Sequence, residues 1–175
     1  RRVLFRSGNG WFGGMLPLLA TAIVAATGDI YAGLWYPIGI AEAPQAPRGT
    51  SGTLRFGAAL DLGSTAARKN PLAVLRAFRQ AFRPGDAVKL SIKLRDTGAD
   101  PAMFAELQAL ASTAGPPVEI LSGDFPPERM EEWWWGIDVF VSLHRSEGFG
   151  LLPAEAMLRG IPVISTDWSA TAEFI

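Results

Sequence analysis

Short apolar runs alternate with amphipathic stretches over the last two thirds of the chain. The runs have the length and clear boundaries of buried parallel strands, and they occupy 54–60, 88–94, 118–121, 139–143 and 161–165. The amphipathic stretches between them predict helices at 71–82, 102–112, 127–135 and 152–159. This alternation predicts an α/β domain with a parallel sheet and helices on both faces.

The segments before this pattern are of other kinds. Residues 1–7 resemble a translated sequencing adapter, and 41–52 are rich in Pro, Gly and small polar residues, as linkers are. The apolar segment inside 8–40 is interpreted as a remnant of another domain, with a secretory signal peptide as the alternative. Residues 53–175 then form the main domain. We expect this domain to be incomplete at its C-terminus, since its last residues look like the start of a helix.

Composition excludes several function classes. Sixteen Lys and Arg against 17 Asp and Glu give a net charge of −1, so we expect no nucleic-acid partner held by general electrostatics. The sequence contains no cysteine, which removes disulfides, thiol nucleophiles and zinc–thiolate sites. With His144 as the only histidine, a multi-histidine metal site is excluded, and we expect no metal or other cofactor.

The segment E-G-F-G-L-L-P-A-E, from Glu147 to Glu155, carries the clearest chemistry. It follows a predicted strand, and its glycine turn opens a helix with Pro153 in the first turn. Free amides and the positive end of the helix dipole favour an anion such as phosphate there. The alternative is that one carboxylate stabilises the dipole while the other is solvated. Spacing alone leaves both interpretations open.

Three further residues follow predicted strands, where ligands bind in such sheets. Arg68 and Lys69 precede a helix and could reach a diphosphate beside the glycine turn, or form a solvated pair at the helix entrance. His144 could donate to a sugar hydroxyl or phosphate, or be a satisfied residue at a strand end. The aromatic run 133–135 could stack on a sugar, but consecutive helical residues point in different directions, which favours packing.

Two motifs carry a family resemblance. S-L-H-R-S-E-G-F-G-L-L-P-A-E-A-M-L-R-G-I-P-V-I-S-T at 142–166, together with R-K-N-P at 68–71, resembles the C-terminal domain of retaining GT-B glycosyltransferases of the group-1 family. The resemblance covers roughly 54–175. It implies a Rossmann-like domain, the C-terminal half of a GT-B fold, that binds a nucleotide-diphosphate sugar.

The resemblance also implies roles for matching positions. Glu147 and Lys69 would be catalytic: Glu147 would lie against the donor sugar's hydroxyls and Lys69 would stabilise the leaving diphosphate. Glu155 would hold the ribose hydroxyls. The other predicted donor-binding residues are Gly148, Phe149, Gly150, Leu151, Arg68, His144 and Ser64. Many relatives carry an arginine where this chain has Gly63 and Ser64, which leaves Arg68 as the candidate to compensate.

We therefore expect a fragment of a retaining hexosyltransferase that transfers a sugar from a nucleotide-diphosphate sugar to a glycan or lipid-linked acceptor. The acceptor would be bound by an N-terminal domain that is essentially missing, so the fragment alone should not turn over. The expected location is cytoplasmic, with peripheral association at the inner membrane face. The alternatives are a non-catalytic nucleotide-binding module and a sugar-nucleotide epimerase of GT-B architecture.

Overall fold

The computed structural model describes residues 52–175. The expectations for the adapter-like residues 1–7, the domain remnant 8–40 and the linker up to residue 51 lie outside the described residues and remain predictions.

Strands and helices alternate along this part of the chain. In order they are β1 (Leu54–Asp61), α1 (Ala66–Lys69), α2 (Pro71–Ala81), β2 (Val88–Arg95), α3 (Pro101–Ala111), β3 (Val118–Ser122), α4 (Pro127–Trp135), β4 (Val139–Ser142), α5 (Leu151–Leu158), β5 (Val163–Ser165) and a 3₁₀ helix (Ser169–Glu173). Every strand and helix predicted from the pattern is present, and only the short α1 was not anticipated.

The sheet is parallel throughout, with strand order β3-β2-β1-β4-β5. The chain therefore starts at the centre, builds outwards through β2 and β3, and crosses back to place β4 on the other side of β1. In open α/β sheets, ligands bind outside the carboxyl ends of the strands where the order reverses. Here that switch point lies between β1 and β4.

Two hydrophobic clusters fill the two faces of the sheet, as helices on both faces require. On one face, Leu90 and Ile92 of β2 belong to the same buried cluster as Leu75 of α2 and Leu107 of α3. On the other face, a cluster joins residues of α4, β4 and α5, namely Trp133, Trp134, Phe140 and Ala156.

The tryptophan run belongs to this second cluster. Trp133 and Trp134 are buried and Trp135 is 43% exposed. The packing interpretation of the run is therefore the one the structure favours.

Local sequence explains where the helices begin. Proline occupies the first position of α2, α3 and α4, where its missing N–H costs no hydrogen bond. Asp100 caps α3 by accepting a hydrogen bond from the amide of Met103 at 3.0 Å. None of the helices in the described part of the chain is long and apolar enough to cross a membrane.

An ion pair fixes how β4 meets β1. The carboxylate of Asp138, just before β4, accepts from the Arg55 amide at 2.8 Å and from its Nε and Nη2 at 3.0 and 2.9 Å. The Asp138 amide donates to the Arg55 carbonyl at 2.7 Å. These bonds hold the strand pair together although the paired register between β1 and β4 covers only Phe56 and Gly57.

We expect Gly57→Val to lower the free energy of unfolding by about 1–3 kcal/mol. A Cβ at Gly57 would lie 2.6 Å from Ile137 Cδ1 and 3.1 Å from Trp133 Cζ2, so the valine would overpack the second cluster. Urea denaturation of the full chain measures the change. Gly52→Val is the control, since a Cβ there meets nothing within 4 Å. Equal stability of the two variants would contradict the close packing of α4 on β1.

Candidate functional site

The loops that follow β1 and β4 lie side by side at the switch point. The Arg145 amide donates to the Arg68 carbonyl at 2.8 Å. Asn70 Nδ2 donates to the Leu143 carbonyl at 3.0 Å. The R-K-N-P segment and the glycine turn, 78 residues apart at Lys69 and Glu147, are thereby brought to one place.

Arg68 and Lys69 both pair with the carboxylate of Glu147. Arg68 Nη1 lies 3.2 Å from Oε2, and Lys69 Nζ is hydrogen-bonded to Oε1. Arg68 Nη1 also donates to the Ser146 carbonyl at 2.8 Å. The Glu147 side chain is only 11% exposed. Neither the solvated cation pair nor the solvated Glu147 describes this arrangement, which is a partly buried cluster of two cations and one anion.

Backbone conformation places these cations. Asn70 has a left-handed φ of 53° and serves at once as C-cap of α1 and N-cap of α2. Asparagine tolerates this region better than most residues. The sharp change of direction puts Lys69 at the end of one helix, facing the β4 loop. Ser64 lies in the same loop, where its Oγ accepts from Arg68 Nη2 at 2.8 Å, so its contact is with the arginine.

The glycine turn presents backbone amides. None of the amides from Gly148 to Leu152 donates to an acceptor in residues 52–172, 174 or 175. They include the first N–H groups of α5, which have no partner inside a helix. The two glycines differ: a Cβ at Gly148 would point into open space, whereas Gly150 has φ 88° and a Cβ there would lie 2.4 Å from Thr171 Cγ2.

Two apolar side chains border these amides. Phe149 is 38% exposed and stacks on Phe174 with ring centroids 5.3 Å apart, and Leu151 is 40% exposed. The amides predicted to hold a phosphate are therefore free within the described residues and edged by apolar surface.

Ser169 holds the start of the glycine turn through two hydrogen bonds to Glu147. The sequence did not predict this role. Its Oγ accepts from the Glu147 amide at 3.1 Å and donates to the Glu147 carbonyl at 2.7 Å. Its φ is 69°, an uncommon value for serine. An S-A-T segment gives no sequence signal for such a role, because the contact joins residues 22 positions apart.

His144 lies in the interior instead of in the cleft. It is 1% exposed. Its Nδ1 is 3.0 Å from Ser142 Oγ, and its Nε2 is 3.0 Å from Thr171 Oγ1 and 3.4 Å from the Trp168 carbonyl. Both ring nitrogens are thus engaged by the protein. Of the two interpretations of His144, the geometry favours the satisfied residue at a strand end, and it gives no support to a donor contact.

Glu155 has different partners from Glu147. Its Oε1 lies 3.0 Å from Nη1 of Arg159, one turn further along α5. Burial raises the pKa of Glu155 and Glu131 raises it further, while Arg159 acts in the opposite direction. The two carboxylates of the motif therefore belong to separate charge clusters, one at the switch point and one between α4 and α5.

The fold defines a class: a Rossmann-like domain, here with two cations, a carboxylate and a glycine turn at its switch point. Residues 59–175 match the sequence model of the family described as Glycosyl transferases group 1. The chain belongs to that family. The resemblance to the group-1 glycosyltransferase family that the two motifs carry is thereby confirmed.

One curated relative is the lipopolysaccharide core biosynthesis mannosyltransferase LpsB of Rhizobium meliloti (strain 1021). The two are 40% identical over 83 residues, which is 46% of this chain and 23% of the relative. The match to this chain therefore covers less than a quarter of the relative's length.

Solved structures share the fold. The apo structure of OtsA superposes with a TM-score of 0.55 at 15% identity, covering 78% of this chain and 36% of that one. The apo lipopolysaccharide outer core galactosyltransferase WaaB gives 0.52 at 16% identity, covering 71% and 33%. The Rossmann-like parallel sheet matches these GT-B glycosyltransferases, as predicted.

We expect Ser169→Ala to lower the free energy of unfolding by about 1–2 kcal/mol and to speed hydrogen exchange of the Glu147 amide, which donates to the Ser169 hydroxyl. The substitution removes both hydrogen bonds to Glu147. Ser169→Gly is the matched variant, since it also loses the hydroxyl but accepts the positive φ without strain. If the glycine variant kept the wild-type exchange rates in the turn, the hydroxyl would not be the clamp.

Proposed function

We propose that this chain is the donor-binding domain of a retaining glycosyltransferase that uses a nucleotide-diphosphate sugar. The single observation that carries the proposal is the convergence of Lys69, Arg68 and the free amides of the glycine turn at the switch point. Two cations and a helix N-terminus at one crevice provide the charge that a diphosphate requires. No other group of described residues combines these features at the carboxyl ends of the strands.

Glu147 has two tasks in this scheme. Without ligand, its carboxylate pairs with both Lys69 and Arg68 and offsets one of their two positive charges. An incoming diphosphate competes for the same cations, and its charge frees the carboxylate to accept hydrogen bonds from the donor sugar's hydroxyls. A charge-assisted hydrogen bond of this kind contributes about 1.5–3 kcal/mol. The same side chain thus holds the empty site together and orients the sugar in the filled one.

The reaction needs little covalent chemistry from the protein. The acceptor hydroxyl attacks the anomeric carbon on the face that the diphosphate leaves, and a phosphate oxygen helps to take the acceptor's proton. The bond from the anomeric carbon to the phosphate oxygen breaks as the new glycosidic bond forms, with retention of configuration. Lys69, Arg68 and the amides of Phe149 and Gly150 stabilise the departing negative charge.

The printed descriptions of two relatives support an inference about the donor and acceptor classes. LpsB is described as a mannosyltransferase of lipopolysaccharide core biosynthesis and WaaB as an outer core galactosyltransferase. We infer by analogy that the donor is a nucleotide-activated hexose and that the acceptor is a growing glycan or lipid-linked saccharide. The acceptor would be bound by a second domain. Transfer would take place in the cytoplasm, with peripheral contact to the inner membrane face.

We expect Lys69→Met to weaken binding of a nucleoside diphosphate by about tenfold or more, because one charge-assisted bond to phosphate is lost. Calorimetry of the full chain with UDP, GDP, ADP and inorganic pyrophosphate measures the effect. Lys89→Met is the control, since Lys89 lies near the amino end of β2, away from the switch point. If none of these ligands binds the wild-type chain more tightly than about 1 mM, the donor-domain assignment fails.

We expect Glu147→Gln to affect binding and turnover in opposite directions. The neutral amide no longer competes for Lys69 and Arg68, so pyrophosphate should bind several-fold more tightly at low ionic strength. Turnover should fall in a protein that joins this domain to its acceptor-binding partner, because the sugar loses an ionised acceptor. Unchanged turnover would refute the catalytic role of Glu147 and favour a non-catalytic binding module.

A further inference from the structure

Strand β2 has one polar face although it lies inside a parallel sheet, between β1 and β3. Both faces of such a strand are usually apolar, because helices cover both. On one face, Leu90, Ile92 and Leu94 belong to the first hydrophobic cluster. The alternate positions on the other face are Lys89, Ser91, Lys93 and Arg95. A strand that departs from its local rule in this way is a candidate for function.

The polar face of β2 forms the floor of a groove that α4 borders. This α4 groove has a volume of about 230 Å³ and extends to the loop after β3. Its polar lining residues are Lys89 and Ser91 of β2, Glu119 of β3, and Arg129 and Glu132 of α4. Leu121, Phe125 and Trp133 contribute apolar wall. None of these residues lies in the loops after β1 and β4 that hold Lys69 and Glu147, so the groove is separate from the switch-point site.

Charges of both signs line the α4 groove without pairing. Among the residues that the structure describes, Lys89, Arg129, Glu119 and Glu132 form no ion pair with each other or with a neighbour. The Arg129 guanidinium carbon lies 3.9 Å from the centre of the Phe125 ring. Stacking on the ring leaves the N–H groups in the guanidinium plane available to a ligand. The groove therefore offers cationic donors and anionic acceptors side by side.

A buried lysine lies at the upper end of the groove. Lys93 is 8% exposed, and its Nζ lies 5.3 Å from the centre of the Phe125 ring. Burial lowers the pKa of Lys93, and Asp124 opposes this only in part. No acceptor in residues 52–172, 174 or 175 takes a hydrogen bond from this ammonium, although buried polar groups are nearly always hydrogen-bonded. Lys93 thus points to a ligand that supplies an acceptor.

Ser91 adds a second buried group. It is 6% exposed, and its Oγ accepts from Nε1 of Trp133 at 3.0 Å. A hydroxyl also has a proton to donate, and no side chain or carbonyl of the described residues accepts it. The floor of the groove therefore presents unused donors at two successive positions of the polar face.

The combination of signs selects the chemistry of the ligand. A simple anion would meet Glu119 and Glu132 together with the cations, and a simple cation would meet the cations on the floor and wall. A saccharide avoids both conflicts, because each hydroxyl can donate to a carboxylate or accept from a cation. Hydrogen bonds to charged groups are strong without any net charge on the partner. The C–H groups of a sugar ring also suit the apolar wall.

The size of the groove agrees with a small ligand. Pockets for drug-sized molecules span about 300–1,000 Å³, which is more than the groove holds. A folded protein partner would need about 800 Å² of surface on each side. The α4 groove is a recess and not a surface of that extent, so one or two sugar rings fit it better than a protein does.

We propose that the α4 groove is a saccharide-binding site, in which Lys89, Lys93 and Arg129 donate to sugar hydroxyls while Glu119 and Glu132 accept from them. The site goes beyond the proposed function, since it uses none of the residues assigned to the donor crevice. In a protein that extends a glycan, it would hold a part of the glycan away from the reacting end.

The indole N–H of Trp133 provides a reporter inside the groove, since it is hydrogen-bonded to Ser91 on the floor. Its NMR signal is followed while the full chain is titrated with mannobiose, galactobiose and maltose. We expect at least one of these disaccharides to shift the signal in a saturable way, with a Kd in the millimolar range. The affinity should change less than about twofold with added salt, because the ligand is neutral.

We expect Glu132→Ala and Arg129→Ala each to weaken this binding about fivefold or more, because a hydrogen bond to a charged group is lost. Both side chains are exposed, so the variants should keep the fold. Glu132→Gln retains an acceptor oxygen and should cost about twofold at most. Arg76→Ala, at an exposed ion pair on the helices of the opposite face, is the control and should match wild type.

Charged probes and a donor-site variant complete the test. Inorganic phosphate and a Lys–Glu dipeptide should give no saturable shift of the Trp133 signal. A shift by phosphate that falls steeply with salt would make the groove an anion site, and a dipeptide shift that Glu132→Gln abolishes would make it a peptide site. Either result in place of disaccharide binding overturns the proposal.

The absence of a saturable shift with all three disaccharides overturns it as well. So does a loss of disaccharide binding in Lys69→Met equal to that in Glu132→Ala, since the sugar would then occupy the donor crevice. Failure of the wild-type chain to bind a nucleoside diphosphate is a different outcome. It would overturn the donor-domain assignment, while saccharide binding at the α4 groove would still support this inference.

Discussion

The reversal of strand order between β1 and β4 is the constraint on which the site depends. Lys69 follows β1 and Glu147 follows β4, so their pairing requires these strands to be neighbours with the same direction. The neighbour relation itself is held by few backbone bonds, since the register between the two strands covers only Phe56 and Gly57. Additional bonds hold the two strands together. They are the Arg55–Asp138 ion pair at the opposite end of the strands and the hydrogen bonds that Asn70 and Arg145 make between the two loops. The site therefore depends on β4 lying beside β1. Any change that separates these two strands would also separate Lys69 from Glu147.

Sequence periodicity was sufficient for the architecture because each element is internally consistent. Proline at the first turn of three helices, apolar runs of strand length and glycine after α5 all agree with the tertiary structure. The unpaired amides of the glycine turn could also be predicted from the sequence, because the first N–H groups of a helix have no acceptor within the helix. The ion pairs between distant residues could not be predicted from the sequence. Local spacing is also consistent with a solvated pair at Arg68 and Lys69, and only the contacts across 79 and 78 positions show that both cations pair with Glu147.

The two carboxylates of the motif show why spacing cannot assign roles. Seven residues separate Glu147 from Glu155 in the sequence, yet one is neutralised by cations from the β1 loop and the other by an arginine of its own helix. Under the proposed function, a diphosphate would compete for the cations of Glu147, and this carboxylate would then change partners. Arg159 is buried, packs on Trp134 and pairs with Glu131 as well as with Glu155, so packing fixes the partner of Glu155. The two carboxylates of one motif therefore have different partners, and Glu155 is paired with a buried arginine.

Unusual backbone conformations occur near the carboxyl ends of the strands. The non-glycine residues with left-handed φ in the described part of the chain are Thr65, Asn70, Asp96 and Ser169, and all lie on loops that follow the carboxyl ends of strands. Such conformations cost about 1–3 kcal/mol each and persist only where surrounding contacts impose them. At Asn70 and Ser169 those contacts are visible, as hydrogen bonds to the β4 loop from both sides. The left-handed positions at Asn70 and Ser169 therefore lie beside the β4 loop, and the bonds that hold them, from Asn70 to Leu143 and from Ser169 to Glu147, also keep the β1 loop, the β4 loop and the glycine turn together.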